Sequence, residues 1–131
     1  MSKRILIVED EVSVRNAVRT FLEHHSPFEV CGEAVNGVEA LEKATALSPD
    51  LIILDLSMPV MNGVEVASLL RARMPHIPVV VYTMFEDVLG NSLTATLGIA
   101  AIVSKPDGLV KLLARIQSVL GPNSLAPLPA A

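Results

Sequence analysis

Short apolar runs in this chain end, four times, on a residue able to bind a cation or a phosphate oxygen. Ile5-Leu6-Ile7-Val8 ends on Glu9-Asp10, Leu51-Ile52-Ile53-Leu54 on Asp55, Val79-Val80-Val81-Tyr82 on Thr83, and Ile102-Val103-Ser104 on Lys105. Continuous apolar runs of this length suit strands buried on both faces, as in a parallel sheet. If the four are parallel neighbours, three carboxylates, a hydroxyl and an ammonium meet beyond one edge of the sheet. That edge suits one hard cation and one phosphoryl group.

Between the runs the pattern turns helical. Val14, Ala17, Val18, Phe21 and Leu22 mark one helical face after Glu9-Asp10. Phe28 to Ala34 alternates, predicting an edge strand with Phe28, Val30, Gly32 and Ala34 on one side. Asn36 is a suitable cap for a helix bearing Val38, Leu41 and Ala44 that stops near Ser48-Pro49. A loop from Asp55 to Asn62-Gly63 precedes a helix with Val66, Leu69 and Leu70, ending before Pro75. Leu89, Leu93 and Leu97 predict a fourth helix closed by Gly98, although Gly90 and Asn91 dilute its propensity. Ile99 to Ser104 predicts a last strand, and Leu109, Leu112, Leu113, Ile116 and Leu120 a closing helix.

Strands alternating with helices imply an α/β fold, a parallel five-stranded sheet with helices on both faces, doubly wound by right-handed crossovers. The edge-like second strand predicts the order 2-1-3-4-5, with the reversal between the first and third strands. Ligands of such sheets bind beyond the carboxyl ends of the strands at that reversal, where Glu9, Asp10 and Asp55 fall. Residues 3–120 are expected to form one domain. Residues 121–131, with Pro122, Pro127 and Pro129 and no periodicity, read as a tail or linker stub.

The 131 residues allow one domain with a substantial core. Although 51% of them are apolar, no stretch approaches the roughly 20 apolar residues of a membrane span. Met1-Ser2-Lys3-Arg4 leads directly into a strand, without the pattern of a secretory signal. The single cysteine, Cys31, fits a reducing, cytoplasmic setting. A net charge of −4, scattered basic residues and 3% aromatic content argue against direct nucleic-acid binding.

Close carboxylates raise one another's pKa unless a cation intervenes. Oxygen ligands with room for water suit Mg²⁺, and the lack of a second cysteine or of paired histidines argues against zinc. Glu9, Asp10 and Asp55 are the expected metal-site acids, with the Ser57 backbone carbonyl as a further ligand. Aspartate can attack phosphorus to give an acyl phosphate. Asp55 would do so, with Lys105 supplying positive charge and Thr83 a hydroxyl donor to the phosphoryl group. Singly, each residue is bland: acids at strand ends form turns and caps, and Lys-Pro is usually a turn. Their joint occurrence at one edge carries the reading. His24 and His25, adjacent and so about 100° apart on a helix, read as surface residues, and His76 as a loop residue. Cys31 reads as an apolar filler, and Met58 and Met61 as packing around a loop.

Val8-Glu9-Asp10-Glu11, Leu54-Asp55-Leu56-Ser57-Met58-Pro59-Val60-Met61-Asn62-Gly63, Tyr82-Thr83 and Ser104-Lys105-Pro106 together resemble a response-regulator receiver domain of bacterial two-component systems. The resemblance implies a flavodoxin-like fold, Asp55 as phosphoacceptor, Glu9 and Asp10 as metal-site acids, Thr83 as switch hydroxyl and Lys105 as phosphoryl contact. It also implies a sensor histidine kinase or histidine phosphotransfer protein as donor, docking on the exposed face of the first helix. The surface of the fourth helix, fifth strand and fifth helix would change partner preference on phosphorylation or form a homodimer. A cis Lys105-Pro106 bond is typical of relatives. The chain departs from the family at Ile102, where an aromatic switch residue is usual, and at Met84, where a small residue is usual. Ile102 puts aromatic–threonine coupling in question, and Met84 could modulate access to the phosphoryl group.

Two other readings compete. A phosphatase or mutase with an aspartate nucleophile generally has a second aspartate two positions on, where this chain has Ser57. An interaction module that uses the fold without phosphorylation is favoured by Ile102 and Met84, and disfavoured by the acids, Thr83 and Lys105. The expectation is a signalling receiver and not an enzyme.

Overall fold

The computed structural model of the chain describes residues 2–56, 63–84 and 97–121. Its elements are β1 (Arg4–Val8), α1 (Val12–His25), β2 (Glu29–Ala34), α2 (Gly37–Leu47), β3 (Leu51–Leu54), α3 (Gly63–Arg73), β4 (Val79–Thr83) and β5 (Ala101–Ser104). A 3₁₀ turn, Lys105–Asp107, leads to a C-terminal helix, Leu109–Leu120. The five strands form one sheet in the order β2-β1-β3-β4-β5, every pairing parallel. This is the doubly wound, flavodoxin-like α/β arrangement that the apolar runs and the edge strand predicted.

Two cores explain why the central strands are apolar throughout. Successive side chains point to opposite faces. Ile5 and Ile7 therefore join Leu51, Ile53, Val80 and Val103 under α1 and the C-terminal helix. Leu6, Val8, Ile52, Leu54 and Val81 meet α2 and α3 on the other face. Fully burying each such side chain contributes about 1.5–3 kcal/mol. Val18 and Leu22 anchor α1, Ala40, Leu41 and Ala44 anchor α2, and Leu112 and Ile116 anchor the C-terminal helix.

Several expectations are corrected. Val38 is exposed and Ala40 takes the core position, on a buried face shared with Gly37, Leu41 and Ala44. Ala17 is exposed at the edge of the α1 face. The alternation in β2 does not hold across the strand. The register with β1 shifts between Ile5↔Val30 and Leu6↔Gly32, so Cys31 is an extra residue. Such a bulge reverses the phase. Phe28 and Val30 pack toward α1, whereas Ala34 packs on the opposite core and a Cβ on Gly32 would meet Leu47 of α2. Cys31 is partly buried against that second core.

Asn36 caps α2 as predicted, its side-chain oxygen accepting from the Glu39 amide at 2.9 Å. His24, His25 and His76 are exposed. Leu89 and Leu93 of the predicted fourth helix lie outside the described residues, as do Met58 and Met61. Leu97 is buried and Gly98 takes a φ of 68°, the left-handed conformation common where helices close. Among the described residues no helix is long and apolar enough to cross a membrane.

Gly63 is the glycine that the site requires. Its amide donates to the Leu56 carbonyl at 2.9 Å, drawing the start of α3 against the segment after Asp55. A Cβ there would lie 2.4 Å from the Leu56 Cα and 2.6 Å from the Asp55 carbonyl oxygen. Backbone cannot yield as a side-chain tip can, so Gly63→Ala should destabilise the protein by about 1–3 kcal/mol in urea unfolding. A loss under about 0.5 kcal/mol would mean that the Asp55 segment moves freely.

Candidate functional site

β1 and β3 lie side by side with Val8 opposite Leu54, so Glu9 and Asp55 emerge together. The Asp55 amide donates to the Val8 carbonyl and the Glu9 amide to the Ala34 carbonyl, each at 3.0 Å. These bonds extend the sheet ladders one step and fix the backbone of both acids. One carboxylate oxygen from each of Glu9, Asp10 and Asp55 lies within 4.8 Å of the other two. Glu9 and Asp55 are buried, at 3% and 4% exposure, and Asp10 is exposed, so the cluster opens to solvent at Asp10.

Lys105, one step past β5, crosses over this cluster. Its Nζ lies 2.8 Å from Glu9 Oε1 and 3.7 Å from Asp55 Oδ2. Burial works to lower the Lys105 pKa, but the Glu9 hydrogen bond and the Asp55, Glu9 and Asp10 charges outweigh it and hold it above the usual value. Burial pushes the Glu9 carboxyl up to about 7, and the Asp55 charge adds to this against the opposing Lys105 bond and Glu11 amide. The two shifts differ in origin: burial is the main cause for Glu9, whereas the surrounding carboxylates overcome burial for Lys105. A concentrated set of hard oxygen ligands with residual negative charge fits a divalent cation such as Mg²⁺.

Thr83 closes β4, fully buried and opposite Ser104. Ile102 pairs with Val81 and packs, partly buried, on the core beneath α2 and α3. Met84 is 56% exposed. It lines an apolar cleft of about 390 Å³ with Val14, Ala17, Tyr82, Lys105 and Leu109, between α1 and the C-terminal helix. The Ser57 carbonyl lies outside the described residues. The expected cis Lys105-Pro106 bond is corrected: no peptide bond among the described residues is cis. Pro106 sits at the start of the 3₁₀ turn, where its fixed φ is accommodated without isomerisation.

One contact has no counterpart in the sequence pattern. Arg15 of α1 donates from Nη1 to the Glu9 backbone carbonyl at 2.9 Å, and from Nε to Glu33 Oε1 at 3.1 Å. Glu9, Arg15 and Glu33 share no periodicity that could announce this.

The Glu9 shift sets a pH dependence for the metal-free protein. A folded-state value of about 7 against an ordinary 4.5 means that the native state holds more protons than the unfolded state between those limits. Stability therefore falls as pH rises through that window. Thermal midpoints in chelator should decline more steeply over it for wild type than for Glu9→Gln. Equal slopes would refute the buried, proton-holding Glu9.

The similarities to known proteins agree with this geometry. A family model described as response regulator receiver domain matches residues 5–117. The chain is 38% identical over 110 residues to a protein-glutamate methylesterase/protein-glutamine glutaminase of Geobacillus kaustophilus, covering 83% of this chain and 32% of that protein. Identity is 39% over 114 residues to a second such protein, from Carboxydothermus hydrogenoformans, covering 86% of this chain and 32% of the relative. The chain thus spans about a third of the length of these curated relatives. The crystal structure of the response regulator domain of Thermotoga maritima CheB superposes with a TM-score of 0.81 at 27% identity, covering 92% of this chain and 97% of that one. A LuxR-family DNA-binding response regulator from Staphylococcus aureus gives a TM-score of 0.84 at 26% identity, covering 91% of this chain and 99% of that one. With strand order, acidic cluster and family match all in agreement, the chain belongs to the response regulator receiver domain family.

Proposed function

We propose that this chain is a phosphorylation-dependent switch in which Asp55 accepts a phosphoryl group from a phosphohistidine of a sensor kinase or phosphotransfer protein. The observation that carries the reading is the convergence of Glu9, Asp10 and Asp55 under one shared ammonium, Lys105. Glu9, Asp10 and Asp55 would hold Mg²⁺, with the Ser57 carbonyl as a further ligand. Bound there, the cation offsets charge on the phosphoryl oxygens in a loose transition state.

The chain's own groups do the rest. An Asp55 carboxylate oxygen forms the new bond to phosphorus as the donor's P–N bond breaks. Lys105, already within reach of Asp55, can exchange its Glu9 contact for a phosphoryl oxygen. Thr83 would donate its hydroxyl to the same group. Met84 at the mouth would slow attack by water, and the neighbouring apolar cleft along α1 would receive part of the phosphodonor. Residues 3–120 act as the receiver and 121–131 as tail or linker, in a cytoplasmic setting.

Phosphorylation adds about −1.5 to −2 charge and three strong acceptors. Output is a population shift, bounded by how differently two packings interact with that charge. Ile102 has no ring to swing and no hydroxyl to rebond, so aromatic–threonine coupling is weakened and output through the face around β5, including homodimerisation there, is altered. Esterase activity belongs to the names of relatives about three times as long, and we assign this chain a switching role, without direct nucleic-acid binding.

Beryllofluoride or acetyl phosphate with Mg²⁺ should form an adduct at Asp55, read by mass spectrometry or NMR and absent in Asp55→Asn. No adduct, with partner binding independent of phosphorylation, would favour the interaction module that Ile102 keeps in play. At a hundredfold excess over its dissociation constant Mg²⁺ should stabilise the fold by about 2.7 kcal/mol, and Asp10→Asn should remove most of that gain. An unchanged midpoint would count against the metal site. Ile102→Tyr should strengthen the dependence of dimerisation or partner affinity on phosphorylation, and identical behaviour in the two proteins would overturn the coupling argument.

A further inference from the structure

Arg15 ties the edge of the sheet to the backbone of the acid cluster. Its side chain is only 15% exposed and that of Glu33 24%, so the pair is largely withdrawn from solvent. Nε donates to Glu33 Oε1 at 3.1 Å and Nη1 to the Glu9 carbonyl at 2.9 Å. Arg19, one turn further along α1, reaches the other Glu33 oxygen. The Glu33 carbonyl in turn accepts from Lys43 of α2. Glu33 is thus held from both helical layers.

The bulge at Cys31 explains why Glu33 is available. Without the register shift the alternation set by Phe28 and Val30 would turn Gly32 and Ala34 toward α1, and Glu33 toward α2. With it, Gly32 and Ala34 face α2 and Glu33 faces α1, where Arg15 lies. Bulges beside functional sites commonly re-aim a side chain.

We infer that Arg15, oriented by Glu33, is a positioning residue for the cation site: it fixes the Glu9 peptide, and through it the directions of the Glu9 and Asp10 carboxylates. The Glu9 backbone is held on both sides of its Cα, the amide by the Ala34 carbonyl and the carbonyl by Arg15. Glu9 is a buried acid facing Asp55 and shares Lys105 with it. Repulsion from Asp55 would swing it outward were its backbone free to rotate. The inference rests on the reading of Glu9, Asp10 and Asp55 as a Mg²⁺ site.

Charge and position make opposite predictions, which makes the idea testable. If Arg15 mattered only as a nearby positive charge, its removal would tighten cation binding. If it positions the ligands, removal weakens it. Groups that orient metal ligands typically contribute 10–100-fold to affinity. Titrating Mg²⁺ alone into the full chain by calorimetry, Arg15→Met should raise the dissociation constant by roughly tenfold, with the far-UV spectrum unchanged. Glu33→Gln, which keeps the side-chain shape, should produce a smaller loss of the same sign that persists in about 0.5 M KCl, where charge effects at a distance are screened. Arg15→Met combined with Glu33→Gln should be no weaker than Arg15→Met alone, as residues on one path are not additive. If Arg15→Met does not fold, the Glu33→Gln result in high salt decides. Binding equal to or tighter than wild type in Arg15→Met, or in Glu33→Gln at high salt, would overturn the inference alone. Absence of Mg²⁺ binding by wild type would instead overturn the metal-site reading beneath it.

Discussion

Two carboxylates held out of water at adjoining strand ends repel each other, and the sheet brings Glu9 and Asp55 together all the same. Lys105 makes the arrangement tolerable. Its ammonium bridges both acids at 2.8 and 3.7 Å and arrives from β5, the strand furthest from β1 on that side of the sheet. Burial is the main reason the Glu9 carboxyl is raised, and the Asp55 charge adds to it against the Lys105 bond. Three hard oxygen donors that open to solvent at Asp10 are the kind of donor set a divalent cation takes.

Rigidity beneath the site comes from apolar burial with no specificity of its own. Ile5, Leu6, Ile7, Leu51, Ile52 and Leu54 are all fully buried between two helical layers, which fixes the heights at which β1 and β3 end. The Asp55 and Glu9 amides carry that precision one residue beyond the strands. Gly63 packs directly on the following segment, leaving no room for a side chain. Scaffold and chemistry are therefore continuous: the residues that fill the core also set the distances between the acids.

Different parts of the site were differently legible. The apolar runs reveal strands because a strand buried on both faces needs an unbroken apolar sequence, and the strand-end acids, Thr83 and Lys105 are conspicuous as the polar residues that stop them. Helix faces leave a weaker mark in the sequence. Val38 fits a helical stripe as well as Ala40 does, and only the orientation that α2 takes on the sheet exposes the one and buries the other. The β2 alternation reads as one face because a bulge leaves no mark in a single strand: it exists only as a mismatch with β1.

The sequence by itself determined the alternation of strands and helices, the sheet order, and which residue types stand at the strand ends, because these follow from burial period and local chain geometry. Tertiary structure alone decided the partnerships: that Lys105 divides itself between Glu9 and Asp55, that the bulge turns Glu33 toward α1, and that Arg15 reaches the Glu9 carbonyl. The Lys105 and Glu33 contacts join residues far apart along the chain, and the Arg15–Glu9 bond spans the connection from β1 into α1. Their geometry depends on strand register and helix placement, quantities that arise only when the two cores pack against a common sheet.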